Sequence, residues 1–164
     1  CREYAKIYGE DTEKDTLVGI VHDIAKEMPD DEKIEYMQKR NLPINTYEIQ
    51  SPGLLHGPIA GQIAKEEFGY TDEMVKAIES HTVGAKNMSL LAKILYVADS
   101  TGKDRKYPGT TEVYELAKKD LTMAVIECMN RTIIERIEKG KTINPVTIEA
   151  RNQYIEEKEK KCQK

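Results

Sequence analysis

The sequence holds three histidines, His22, His56 and His81, and two acidic residues that stand where they could join them. Asp23 follows His22 at once, and Asp99 closes the apolar run Ile94-Leu-Tyr-Val-Ala98. Imidazole and carboxylate donors together suit a borderline divalent cation such as iron, manganese or zinc, whereas calcium or magnesium asks for oxygen donors alone. Taken singly, each residue has an ordinary structural explanation. A histidine beside an apolar helix is more often a hydrogen-bonded packing residue, and an aspartate at a helix end is often a cap. The His22-Asp23 pair shifts that balance, because it interrupts Leu17-Val-Gly-Ile-Val21 and Ile24-Ala25. Burying two such groups is costly unless one partner satisfies both, and a metal ion is such a partner.

The elements that must position these residues are helices. Asp11 or Thr12 can cap a helix over residues 11–27, whose Leu17, Ile20, Val21 and Ile24 recur at three-to-four-residue spacing, with Pro29 as its stop. His22 then lies near its C-terminal end. A short helix is expected over 30–40, and Asn41-Leu-Pro-Ile-Asn45 and Ser51-Pro-Gly53 supply loop punctuation. His56 opens a helix over 54–68 that Gly69 stops, and His81 follows a helix capped by Thr71 or Asp72. Ser89 caps 90–98, and residues 100–109 read as a polar loop. The longest helix is predicted over 111–139, closed by Gly140, and Pro145 opens a last one from Val146 to about Lys160 that frays into a charged tail. No alternating strand pattern of useful length occurs, so the predicted fold class is all-α.

Length and charge narrow the function classes. At 164 residues the chain reads as one domain. Its 39% apolar and 33% charged residues can build a core and are unlike a disordered chain. A net charge of −4 supplies no general cationic field for a polyanionic duplex, which argues against nucleic acid as the main partner. No apolar run approaches the length of a membrane span and no signal peptide opens the chain, so a cytoplasmic protein is expected. Cys1, Cys128 and Cys162 are odd in number and far apart, which suits reduced, passive thiols.

Four runs, in this order, carry a family resemblance: Gly19-Ile-Val-His22-Asp23-Ile-Ala-Lys26-Glu27, Leu54-Leu-His56-Gly-Pro58, Ala77-Ile-Glu-Ser-His81-Thr-Val-Gly84 and Leu95-Tyr-Val-Ala-Asp99-Ser100. The first resembles the signature of HD-domain metal-dependent phosphohydrolases, and the set is similar to the bacterial YqeK group, symmetrical diadenosine tetraphosphate hydrolases with a di-iron centre. The likeness continues through Ile143-Asn-Pro-Val-Thr-Ile-Glu-Ala-Arg151-Asn152 and so covers nearly the whole chain. It implies an HD-domain helical bundle over 1–164 with the metal site at its centre and 145–164 as C-terminal helix and charged tail. It also implies that the chain is shortened at its N-terminus, since the family carries one more metal-binding histidine at a position upstream of Cys1. After Asp99, Thr101-Gly102 stands where the family usually has Glu-Pro.

The resemblance implies that two divalent metal ions, iron or else manganese, bind His22, Asp23, His56, His81 and Asp99, with Asp23 bridging. A bound cation acidifies coordinated water, so hydroxide would attack phosphorus without a covalent intermediate. Lys26, at i+3 from Asp23, can point into the same pocket, and the family likeness favours a catalytic, phosphate-binding role over a surface ion pair. Gly57, the Thr82 hydroxyl, the backbone at Gly84 and the Arg105 guanidinium are the further expected substrate contacts. Tyr96 and Tyr107 could stack on a purine, but tyrosine in an apolar helix is more often core. The resulting expectation is cleavage of diadenosine tetraphosphate to two ADP. The alternatives are an HD phosphohydrolase for another nucleotide, such as a nucleoside monophosphate or a guanosine alarmone, and a nucleotide-binding protein with weakened catalysis. A homodimer is expected from the family alone.

Overall fold

Capping chemistry sets most of the helix boundaries. The computed structural model describes residues 1–102 and 109–162. Its helices are α1 (Arg2–Tyr8), α2 (Thr12–Val21), α3 (Asp30–Lys39), α4 (Thr46–Gln50), α5 (His56–Phe68), α6 (Asp72–Ser80), α7 (Leu90–Ser100), α8 (Thr110–Lys119), α9 (Leu121–Glu138) and α10 (Pro145–Cys162), with a 3-10 turn at Pro52–Leu55. The Asp11 carboxylate accepts the Glu13 and Lys14 N–H groups, Thr71 Oγ1 accepts that of Met74, and Ser89 Oγ accepts that of Ala92. No strand occurs among the described residues, so the all-α expectation holds.

Three local expectations give way. The helix predicted over 11–27 ends at Val21, and the chain continues in tighter turns, with Ile24, Lys26 and Met28 N–H groups bonding to carbonyls three residues back. That winding seats Ala25 in a satellite cluster with Met37, Leu55 and Ile59. On α2 the packed face is Asp15, Val18 and Val21, while Leu17 and Ile20, and Ile24 just beyond the helix, are exposed, Ile20 by 72%. The long helix predicted over 111–139 is broken at Asp120, whose extended backbone (φ −149°) ends α8 and whose carboxylate caps α9 by accepting the Met123 N–H. Within the predicted 41–53 connection, Asn45 and Glu48 form a reciprocal capping box that nucleates α4.

The core is organised around α7, where Leu91, Ala92, Ile94, Leu95, Tyr96 and Val97 are all buried. α2, α6, α8 and α9 pack around it, and α1 closes it through Tyr4 and Ala5. α10 fixes the connection between α6 and α7. Tyr154 Oη accepts the Met88 N–H and donates to the Ala85 carbonyl, and Thr147 Oγ1 donates to the Val83 carbonyl. Residues just after His81 are thereby anchored. At the far end of α7, the buried Thr101 Oγ1 donates to the Val97 carbonyl and lies 3.2 Å from Tyr4 Oη.

One buried group works against the fold. Asp15 is fully buried, neither carboxylate oxygen has a hydrogen-bond partner, and burial pushes its pKa up to about 6. The folded protein therefore binds more protons than the unfolded chain between about pH 4 and pH 6, so stability falls as pH rises through that window. Asp15→Asn is expected to raise the melting temperature at pH 7.5, by up to about 2–3 kcal/mol of stability, and to change it little at pH 4. Thermal melts of both proteins across pH 4–8 measure this; a pH-independent difference would contradict it.

Candidate metal centre

Helix ends deliver the five sequence-predicted ligands to one place. His22 ends α2, His56 opens α5, His81 ends α6 and Asp99 lies in the last turn of α7, with Asp23 in the tight turn after α2. Each imidazole is oriented by its own turn. Nδ1 of His22 lies 2.8 Å from the Gly19 carbonyl, that of His56 2.5 Å from Gly53 and that of His81 2.6 Å from Ile78, in every case three residues back. A carbonyl can only accept, so the proton sits on Nδ1 and the Nε2 lone pair of each ring is left facing inward.

The inward atoms crowd one another. His56 Nε2 and His81 Nε2 are 2.9 Å apart, and both approach Asp23 Oδ1, at 3.3 and 3.6 Å. His22 Nε2 lies 3.6 Å from Asp23 Oδ2 and 3.7 Å from Asp99 Oδ1. Ligand atoms of His22, Asp23 and His81 all fall within 4.8 Å of one another, a spacing that could hold a metal ion. Asp23 Oδ1 is buried and makes no hydrogen bond. A set of lone pairs converging on an orphaned carboxylate oxygen is satisfied by a cation, and mixed nitrogen and oxygen donors fit a divalent transition metal.

Charge balance follows from this geometry. His81, Lys26 and His22 together hold the Asp23 carboxyl well below the usual carboxylate range in spite of burial. Burial pulls the His22 pKa down, but Asp99, Asp23 and the Gly19 carbonyl more than offset it and the net shift is upward. His56 moves the other way, lowered by burial and by its neighbour His81.

The remaining predicted residues divide. Lys26 lines the cleft, and its Nζ sits 2.6 Å from Asp23 Oδ2, so it is both an ion-pair partner and a cleft residue. Thr82 lines the same cleft. Gly84 does not. Its N–H donates to the Ser80 carbonyl and is spent there, and its φ of 75° is a left-handed conformation that favours glycine. Tyr96 is core, 2% exposed, with an edge on the cleft. Arg105 and Tyr107 lie outside the described residues. The sequence reading missed one wall: Cys128, Arg131, Thr132, Ile134, Glu135 and Glu138 of α9 line the cleft. Arg131 and Thr132, interrupting the apolar register of that helix, were the available signal.

Gly57 is placed behind the ligands. A Cβ there would lie 3.1 Å from the Glu79 carbonyl oxygen, 3.2 Å from Thr82 Cγ2 and 3.5 Å from His81 Cε1. Its missing side chain lets the first turn of α5 seat His56 against His81. Gly57→Ala is expected to weaken divalent-cation binding about tenfold or more, as loss of a supporting contact does elsewhere. Metal titration by calorimetry measures the change; unaltered affinity with an unchanged far-UV spectrum would refute the packing role.

Comparison with known proteins gives the family. The HD-domain family model matches residues 1–104, which include all five predicted ligands. The chain is 36% identical over 154 residues to the symmetrical bis(5'-nucleosyl)-tetraphosphatase of Halalkalibacterium halodurans, covering 93% of this chain and 82% of that one. It is 34% identical over 146 residues to the Bacillus subtilis protein of the same name, covering 88% and 78%. A crystal structure from Clostridium acetobutylicum, described as a predicted HD superfamily hydrolase involved in NAD metabolism, matches with a TM-score of 0.91 at 38% identity, over 94% of this chain and 82% of that one. Its sequence, its helices and its relatives thus agree that this chain belongs to the HD-domain family, in the group of the symmetrical bis(5'-nucleosyl)-tetraphosphatases.

Proposed function

We propose that this protein is a metal-dependent hydrolase that cleaves diadenosine tetraphosphate and related dinucleoside polyphosphates symmetrically, giving two ADP from the former. The observation that carries the reading is the arrangement around Asp23. One oxygen faces His56 and His81, and the other faces His22 and Lys26, with Asp99 beyond His22. A carboxylate with imidazole nitrogen facing each of its oxygens suits a bridge between two cations, with the Lys26 ammonium as a counter-charge beside it. Iron is the metal we propose, with manganese as a substitute. When bound, such cations acidify a coordinated water and neutralise phosphate charge.

The chain's own groups support hydrolysis by water. Cys128 lines the cleft, but burial pushes its thiol up to about 11, so it is protonated at neutral pH and a poor nucleophile. Lys26 neutralises Asp23 and presents its partly exposed ammonium to phosphate oxygens in the cleft. Thr82, which lines the cleft, is proposed to donate its hydroxyl to phosphate, and Arg105 is proposed as a second phosphate clamp. The free thiols of Cys1 and Cys128 are consistent with a reducing, cytoplasmic setting, and a homodimer is the assembly we expect from the family. Among the described residues no helix is long and apolar enough to cross a membrane.

The test is a panel of diadenosine tetraphosphate, nucleoside monophosphates and a guanosine alarmone, each with iron or manganese, products separated by ion exchange. ADP as the sole product of the first substrate is expected, and exclusive dephosphorylation of monophosphates would overturn the assignment. Asp23→Asn should lower kcat by at least about a thousandfold, and Lys26→Ala should lower kcat/KM about ten- to a hundredfold. Removing metal with a chelator should abolish turnover, and added manganese should restore it.

A further inference from the structure

The cleft does not end at the metal ligands. It encloses about 650 Å³, a volume suited to a bound small molecule, and its lining runs from Lys26, His56, His81 and Asp99 to Leu54 and the last turns of α9. The two ends differ in chemistry. At the ligand end stand the groups that attract phosphate. At the other end Ile134, 53% exposed, presents a large apolar side chain to the cleft, and Leu54 lines it two residues before His56. Arg136 Nη2 donates to Ser51 Oγ at 3.3 Å and its Nε to the Thr142 carbonyl at 2.8 Å, which ties α9 to the segment that carries Leu54. The bond to Ser51 holds the last turns of α9 beside the segment that carries Leu54.

Two carboxylates accompany the apolar pair. Glu135 and Glu138 line the same end, and Glu138 follows Ile134 by four residues, which places both on one helix face. Glu135 already accepts from Lys139 Nζ. A phosphate would be repelled from this end, whereas a flat apolar ring with N–H donors on its edge is favoured by both features. We propose that this end of the cleft seats one nucleobase of the substrate, its ring held between Leu54 and Ile134 and its exocyclic amino group donating to the Glu138 carboxylate. The assignment rests on the dinucleoside polyphosphate reading above and adds the residues that position the nucleoside. It also orients the substrate, with the base against α9 and the phosphates toward Asp23.

The full chain tests this in two assays. In the first, adenosine is titrated into the chelator-treated protein by calorimetry, with no phosphate and no metal involved. Ile134→Ala should weaken adenosine binding about tenfold. In the second, the manganese-loaded enzyme hydrolyses diadenosine tetraphosphate and its N6,N6-dimethyladenine analogue, which lacks the amino donors. Ile134→Ala should raise KM for diadenosine tetraphosphate about tenfold with kcat within about twofold. Glu138→Gln should raise KM for the unmodified substrate several-fold and leave that for the dimethylated analogue unchanged. If wild-type protein turns over diadenosine tetraphosphate and neither variant alters KM, the base seat is refuted while the activity stands. If wild-type protein turns over no dinucleoside polyphosphate, yet Ile134→Ala still weakens adenosine, the seat stands and the proposed substrate falls.

Discussion

Three imidazole lone pairs and two carboxylates pointed at a common centre repel one another, and the rest of the structure serves to hold them there. The orientation of each ring is settled locally, because each Nδ1–H is taken by a carbonyl of the same helical turn. Tertiary packing then has a simpler task. It need only bring the ends of α2, α5, α6 and α7 together, and the Nε2 atoms converge without long-range side-chain contacts to aim them. Among the described residues Lys26 pairs with Asp23 at this centre, and a divalent cation would satisfy the converging lone pairs. Binding of a cation to the folded chain alone also raises stability by mass action, which couples the fold to its own chemistry.

Close approach is bought by small residues and by anchors placed behind the ligands. Gly57 lets α5 meet the end of α6, and Gly84 turns the chain over Met129 just beyond His81. Thr147 and Tyr154 of α10 hold the 83–88 connection from outside. A helix that contributes no ligand thus controls where His81 stands.

What could be read from the sequence follows from how local each cause is. The residues that cluster, His22, Asp23, His56, His81 and Asp99, were legible as types out of place beside apolar runs, and helix starts were legible where a side chain caps its own turn, as at Asp11, Thr71 and Ser89. The end of α2 at Val21 was not, because the change to three-residue turns is decided by seating Ala25 against Met37, Leu55 and Ile59, none of them nearby in sequence. The exposure of Leu17, Ile20 and Ile24 has the same origin: periodicity marks an apolar stripe but does not say which flank of it meets α6 and α7. Asp120 was hidden by an apolar register that continues through it, although an aspartate three residues before an N–H it can cap is a local signal. Gly84 reads from the sequence as a substrate contact in a turn, whereas its φ of 75° and its N–H bonded to Ser80 account for it as a turn residue. The α9 wall became visible only once that helix lay across the cleft.

Net charge alone would misjudge this protein's substrate. A chain with a charge of −4 is expected to repel a polyphosphate, yet beyond about 8–10 Å such a field is screened at physiological salt. What a bound anion meets is the local set. Asp23 and Asp99 by themselves make that set hostile to phosphate, and Lys26 offsets the charge on Asp23. A cation held by the converging lone pairs would also shift the sign of the site, so ligand geometry and attraction for an anion would have one cause. At the other end of the cleft Glu135 is paired with Lys139, and Glu138 supplies the remaining carboxylate. The contrast between the ends gives a polyphosphate ester a single favourable direction of entry, with its charge toward the centre and its uncharged ring toward α9.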